Sequence, residues 1–455
     1  MSKDAAVYTC TKCDAQFPKW AGRCASCGAW GSIGQDAMKP SDTAPSKRVV
    51  GKPGSTVSFS EDAAIIHAKA VPTGFAPLDL MLGGGLVEGS STLVAGEPGI
   101  GKSTLLAQLG MSMASAGKTV LYVTGEESPS QIKRRLERFR TDIPTGFRFL
   151  DDTDAATIAA THEEIHPALT VVDSIQTVRH ADVPGEPGSV SQIKACAATL
   201  TEAAKRSHCP VMLVGQVTKD GDVAGPRVLE HIVDTVLFLE GDRLHRYRLL
   251  RLLKHRFGPT DDIALMAMTE KGLETVEDPS MELLRDRPSN AAGSAVSCLI
   301  EGRRPLLIEI QALVSPAGYA TPVRRTTGID TARLGMLLAV LARRAGINAL
   351  DKDVYANAAG GFDARDPSVD LAVATAIAGA IKDIPLDPRL ALFGEVGLAG
   401  ELRPVSLPDA RLKEMSRLGF ALAVVPKGQA KHAPKGMDVK EASTLREAFQ
   451  ILHII

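Results

Sequence analysis

No stretch of this 455-residue chain is long and apolar enough to cross a bilayer: the longest apolar runs, such as Leu371 to Ile381, stop well short of the roughly 20 residues a spanning helix needs. The first residues, MSKDAAVYTC, also lack the apolar core of a secretion signal. Both absences argue against a membrane protein and for a cytoplasmic one. A charge excess is missing too, with 52 Lys and Arg against 53 Asp and Glu and a net charge of −1. Composition therefore gives nucleic-acid binding no support, and any such function has to come from local basic patches. Cysteine is sparse, seven residues in all, which in a reducing compartment argues against a disulfide framework and makes a tight cysteine cluster a metal or redox candidate. There is no short internal repeat and, beyond one linker, no low-complexity tract, which argues against a solenoid.

Hydrophobic residues make up 44% and charged residues 23% of the chain, the balance of folded globular domains, and the length exceeds what one hydrophobic core serves. Two or three domains are expected. Residues 1–33 carry Cys10, Cys13, Cys24 and Cys27. Residues 34–56, rich in Pro, Ser and Lys with almost no large apolar side chain, read as a flexible linker. Residues 57–275 alternate apolar β-rich runs (TLVAG, TVLYVTG, FRFL, LTVVD, VMLVG) with segments of helical period, the pattern of a mostly parallel sheet covered by helices. One covering helix is well marked, with Ser128 as cap, Pro129 in the first turn, and Ile132, Leu136 and Phe139 at helical spacing. From about Val276 the rhythm changes to mixed strands and helices, with apolar helices at Leu334 to Leu341 and Val369 to Ile381; residues 279–455 are taken as a separate domain.

Cys10-x2-Cys13 and Cys24-x2-Cys27 form two knuckles whose thiolates can converge tetrahedrally on one ion, the arrangement structural zinc prefers. So short a segment buries too little apolar surface to fold alone, and metal binding supplies folding free energy on the order of 10 kcal/mol. The competing readings are a redox pair, which calls for one CxxC opening a helix, and iron in a rubredoxin-like site. Trp20 and Trp30 are either part of a small core or partner-binding.

Gly96-Glu97-Pro98-Gly99-Ile100-Gly101-Lys102-Ser103 matches the Walker A pattern, with the strand TLVAG before it and the helical segment beginning at Thr104 after it. Such a loop turns backbone N–H groups onto phosphate oxygens, Lys102 reaches the β- and γ-phosphates, and Ser103 ligates Mg²⁺. The expected cofactors are ATP, Mg²⁺ and Zn²⁺. The strand LTVV ends in Asp173, a Walker B carboxylate for the Mg²⁺ shell. TVLYVTG ends in Glu126 and Glu127; Glu126 is the favoured residue to orient the attacking water, and Glu127 suits a cap on the following helix. Gln216 ends the strand VMLVG, where an amide is placed to sense the γ-phosphate. Lys254-His255-Arg256-Phe257-Gly258 closes a stretch, Arg243 to Arg256, with six Lys and Arg and no acid, read either as phosphate-contacting or as a solvated strand face.

These motifs, in this order, resemble the bacterial RadA (Sms) family of RecA-superfamily ATPases. The resemblance is carried by the four-cysteine finger with Lys19, Trp20, Gly22 and Trp30, by PTGFAPLDLMLGGG ahead of Walker A, and by KHRFG, which departs from the family's KNRFG at His255. It implies a RecA-like α/β motor that processes single-stranded and branched DNA in recombinational repair, alongside RecA recombinase, as a hexameric ring of identical subunits. Loops in the positions that bind DNA in such motors are Val178 to Ser189 and Val217 to Val228, with Arg179, Lys219 and Arg227 as candidates; a solvated-loop reading stays open, since neither loop offers an aromatic for stacking. Lys254 and Arg256 are candidates for DNA contact or for completing a neighbouring subunit's ATP site. Arg365 to Ser368 and Phe393 to Glu401 resemble the proteolytic domain of Lon proteases, which implies an α/β Lon-like domain. Ser368 falls at the serine position of its Ser–Lys dyad, but Asp409 stands where the lysine belongs and Lys413 lies one turn on, so no peptidase is expected. An ATP-dependent protease and an ATP-switched repair adaptor are the alternatives.

Overall fold

The structure is a computed structural model that describes residues 8–10, 16–17, 19–25, 28–35, 69–139, 142–216, 226–241, 247–260, 262–318, 321–431 and 433–455. It forms two compact units, Met1–Leu239 with Leu252–Gly258, and Glu240–Arg251 with Pro259–Ile455. The division comes earlier than the change of rhythm near Val276 suggests. The strands Tyr247–His255 and Ile263–Thr269 pair antiparallel, and Tyr247, Leu249, Ile263 and Leu265 sink their apolar side chains into the core of the second unit. Strand alternation reveals that a face is buried, not which core receives it.

In the finger, Tyr8–Cys10 pairs antiparallel with Gln16–Phe17 and with Ile33–Gln35. Gly34 and Gln35 thus extend the finger sheet two residues past the expected start of the linker, whose remaining positions, 36–56, lie outside the described residues. Cys10, Cys24 and Ile33 make the buried core of this segment.

The five apolar runs read from the sequence are parallel strands. Together with Thr235–Gly241 they stand in the order Thr235–Gly241, Ser91–Gly96, Val211–Gln216, Leu169–Val172, Val120–Val123, Phe147–Leu150. Every residue of Ser91–Gly96 is buried, as is every residue of Leu169–Val172 and Val120–Val123. Burial on both faces is why these strands read as unbroken aliphatic runs. The helix Pro129–Glu137 starts as expected: Ser128 accepts from the N–H of Gln131, whose side chain reaches back to the Ser128 N–H in a capping box, with Pro129 at the first position.

The helices Ala155–Ile165 and Val190–Ser207 bury a histidine against the strand Leu169–Val172. His162 has Nδ1 2.8 Å from Thr170 Oγ1 and Nε2 2.7 Å from Ser207 Oγ. Burial depresses its pKa from 6.5 to about 4.

The second unit is built on a seven-stranded mixed sheet in the order Arg324–Thr327, Lys352–Ala358, Arg304–Pro316, Ser294–Glu301, Leu390–Leu392, Leu422–Pro426, Asp438–Ala442. The two apolar helices of the sequence pattern are Thr331–Val340 and Asp370–Lys382, the second buried on all sides from Asp370 to Gly379. Among the described residues no helix is long and apolar enough to cross a membrane.

The His162 environment sets a pH dependence. The unfolded chain takes up this proton near pH 6.5 and the folded chain only near pH 4, so stability falls as pH drops through that window. Thermal unfolding followed from pH 7 to pH 4 is expected to show this fall, shallower in a His162→Gln variant; identical pH profiles for the two proteins would contradict the assignment.

Candidate nucleotide site

The phosphate loop is made by close backbone approach. A Cβ at Gly96 would lie 2.4 Å from the carbonyl oxygen of Leu239 on the neighbouring strand, so only glycine lets the chain leave the sheet there. A Cβ at Gly99 would meet nothing within 4 Å, which leaves the crown of the loop open. Gly101, at φ 115°, turns the chain into the helix Lys102–Ser115. No side chain caps that helix, so the N–H groups of its first turn, where Ser103 and Thr104 lie, are presented to an anion.

Lys102 is 5% exposed, and its Nζ donates to the carbonyls of Gly96 and Glu97 at 2.9 Å each. Burial pushes its pKa down, while Asp173, Glu126 and Glu97 favour the charged form. Asp173 follows the strand Leu169–Val172 and is itself buried; its N–H donates to Val123 and its carboxylate accepts from the Tyr122 hydroxyl at 2.7 Å. Burial and this carboxylate hold the Tyr122 phenol well above its ordinary pKa. Oδ1 of Asp173 takes no hydrogen bond among the described residues.

The two glutamates separate. Glu126 Oε1 accepts from Ser174 Oγ at 2.6 Å, and Glu126 is one of the acids acting on Lys102. Glu127 does not cap the helix, since Ser128 and Gln131 fill that role; it pairs instead with Arg135, whose Nη1 stands 4.0 Å from Asp173. Burial raises the Glu127 pKa and Arg135 opposes the rise. Gln216 stands directly opposite Gly96 in the parallel ladder. Lys102, Asp173, Glu126 and Gln216 therefore share one edge of one sheet, the carboxyl ends of its strands, where ligands bind in open α/β folds.

Other candidates fall elsewhere. Arg179 is exposed, but its backbone is pinned by a bridge to Asp154, and the loop beyond it is held by Gln192, which accepts from the His180 N–H at 2.7 Å. Lys219 and the side chain of Arg227 lie outside the described residues, as do Cys13 and Cys27. Lys254 Nζ donates to the carbonyls of Glu230 and, at 2.8 Å, Val233. Arg256 pairs with Asp234 at 2.9 Å, and Asp234 accepts from both the N–H and the hydroxyl of Ser91. Ser91 is the opposite end of the strand from Gly96, roughly 17 Å away at strand rise, so Lys254 and Arg256 do not reach the phosphate loop of their own chain. Arg251 pairs with Glu240 and Glu301, so much of the basic stretch is engaged internally rather than forming a plain solvated face. Tyr122 and Arg135 were not singled out by the sequence; the signal was a phenol in an otherwise aliphatic, two-face-buried strand, which demands a polar partner.

An open glycine crown, an uncapped helix start, a buried cation and a Walker B oxygen left without a donor fit a magnesium nucleotide. Gly96 to Thr104 would hold its phosphates, and Ser103 with Asp173 would hold the ion, which would supply positive charge against the phosphates. In the finger, the buried Cys10 and Cys24 share one small core, and Cys24 sits in a turn closed by hydrogen bonds with Gly28 and Ala29, as a metal knuckle requires.

A family profile described as an AAA domain matches residues 63–222, and one described as a rubredoxin metal binding domain matches residues 8–35. The DNA repair protein RadA of Pseudomonas aeruginosa is 43% identical over 457 residues, 99% of this chain and 100% of its own. Those of Aquifex aeolicus and Bacillus subtilis are 42% and 40% identical, with 99% of this chain covered in each case and 100% and 99% of their own. The chain belongs to the RadA family of DNA repair proteins.

Its first unit is accordingly a RadA-family P-loop ATPase with an amino-terminal metal ribbon. In the second unit, Ser368 is 1% exposed, and its Oγ accepts from Arg411 Nη1 at 2.9 Å. Arg411 is wholly buried; it also donates to the carbonyls of Cys298 and Ser406 and pairs with Asp366 at 3.2 Å. Asp409 lies in the first turn of the helix Pro408–Arg417, and Lys413 is exposed on it. The cation at Ser368 is thus an arginine two residues beyond the expected position, and a guanidinium does not deprotonate to serve as base.

The Tyr122 bond generates a test. Tyr122→Phe removes the donor that orients Asp173, and loss of such an outer contact costs about tenfold in metal affinity. The Mg²⁺ concentration for half-maximal ATP turnover is expected to rise by that factor with the fold intact; an unchanged Mg²⁺ requirement would remove Tyr122 from the site.

Proposed function

We propose that the chain is a DNA-dependent ATPase of recombinational repair that processes or branch-migrates recombination intermediates and moves on single-stranded DNA as a homo-oligomeric ring, a hexamer by family resemblance. The supporting observation is the shared edge of Lys102, Asp173, Glu126 and Gln216: the residue placed to sense phosphate ends the strand from which the second candidate DNA loop, with Lys219 and Arg227, departs. Glu126 polarises the attacking water, Ser103 and Asp173 hold Mg²⁺, and Gln216 passes the nucleotide state to that loop. Arg179 is the candidate contact from the first loop. Zinc on Cys10, Cys13, Cys24 and Cys27 is the metal proposed for the ribbon, and RecA recombinase the partner by family resemblance. In a ring, Lys254 or Arg256 acts on the neighbouring subunit's nucleotide; within their own chain they lie at the far end of the Ser91–Gly96 strand, which fits action in trans.

The carboxyl-terminal unit is proposed as a Lon-like scaffold without peptidase activity, because Arg411 occupies the Ser368 hydroxyl. Among the described residues the protease reading has no base beside Ser368 to support it.

ATP turnover with and without single-stranded DNA, measured beside casein hydrolysis, tests the proposal. Turnover is expected to rise with DNA, casein to stay intact, and Ser368→Ala to change neither. Turnover indifferent to DNA, or casein cleavage lost in Ser368→Ala, would contradict it.

A further inference from the structure

A metal accounts for the cysteines of the finger but not for its tryptophans. Trp20 and Trp30 are the only two in the whole chain, and both are exposed, 63% and 77%, on a segment whose buried core is Cys10, Cys24 and Ile33 with Tyr8 and Phe17 packed against it. A small core starved of apolar surface gains from each indole it buries, so leaving both outside calls for another use.

The rings are also held. Trp20 Nε1–H donates to the carbonyl of Ile33 at 3.1 Å. Trp30 bridges antiparallel to Arg23, whose guanidinium stands 5.9 Å from the ring centroid and whose Nε donates to the Gly28 carbonyl at 3.0 Å. Both rings converge on Gly22: a Cβ there would lie 3.9 Å from Trp20 Cη2 and 3.9 Å from Trp30 Cζ3. Around them stand the exposed Lys19 and Arg23, and no Asp or Glu occurs among the described residues of the finger.

We propose that Trp20, Trp30 and Arg23 form a platform that binds single-stranded DNA, the indoles stacking on unpaired bases while Arg23 and Lys19 face the phosphates. Indole faces beside fixed cations match an unstacked polyanion, and the bases of a duplex, already stacked, have no faces to offer. The exposed cations Lys19 and Arg23 beside the rings favour this polyanionic occupant over a protein surface. The inference rests on the DNA-processing reading above and adds to it a site distant in sequence from the motor loops.

With no other tryptophan in the chain, indole emission reports the platform alone. Titration of the metal-replete, full-length chain with end-labelled oligothymidylate is expected to quench that emission saturably as the label's anisotropy rises, while a duplex of equal length leaves it unquenched. Trp20→Ala and Trp30→Ala are each expected to weaken strand affinity about tenfold, with Trp→Phe restoring most of it at unchanged metal content. Lys19→Glu, which keeps both rings, is expected to flatten the salt dependence by about one unit. Strand binding with unchanged emission, and unchanged affinity in the alanine variants, would overturn the platform, leave the indoles to a protein partner and spare the DNA-processing reading. If no strand binds and turnover ignores DNA, both fall.

Discussion

Burial of the Lys102 ammonium is the constraint that the rest of the ATPase unit answers to. A cation drawn into the edge of a sheet loses hydration worth several kcal/mol unless carbonyls and carboxylates replace the water. Here the carbonyls of Gly96 and Glu97 do so, and Asp173, Glu126 and Glu97 keep the charge on. Those same groups must also meet a nucleotide, which is why they sit at strand ends. A carboxylate in the middle of Leu169–Val172 would be buried with nothing to pair it. The glycines follow from the same demand, because the loop can wrap an ammonium only where the backbone passes within van der Waals contact of the next strand, as Gly96 does beside Leu239.

The second unit buries a cation as well, to the opposite effect. Arg411 is compensated by Asp366, by two carbonyls and by the Ser368 hydroxyl, and its guanidinium stands 5.8 Å from the centre of the Phe393 ring. The guanidinium itself is spent on the protein's own acceptors. One buried cation is surrounded by groups with a second task; the other is fully consumed by its surroundings. This contrast, more than any likeness of fold, separates the ATPase unit from the unit proposed as a scaffold.

Much of this was legible in the residues. The five parallel strands, the Ser128 cap, the phosphate loop and the strand-end positions of Asp173, Glu126 and Gln216 all follow from local pattern: aliphatic runs, a capping box, and glycines at the spacing that a phosphate demands. What local pattern does not carry is pairing over distance. Glu127 looked like a helix cap because caps are local, whereas its partner Arg135 lies eight residues on, across a turn. The basic run from Arg243 to Arg256 looked like one surface, yet Arg251 and Arg256 turn to acids from separate strands or turns. Arg411 as the partner of Ser368 escaped for the same reason, since a two-residue offset from Asp409 on a helix changes which side chain faces the serine. The division between the units was hidden because an amphipathic strand does not name the core it serves.

The central claim is that hydrolysis runs through the Glu126 side of this edge, with Glu127 a structural partner of Arg135. The most direct measurement compares ATP turnover, in the presence of single-stranded DNA, for Glu126→Gln and Glu127→Gln chains that bind nucleotide equally well. The account predicts that Glu126→Gln loses turnover by about 100-fold or more while Glu127→Gln keeps most of it. The reverse ranking would contradict it.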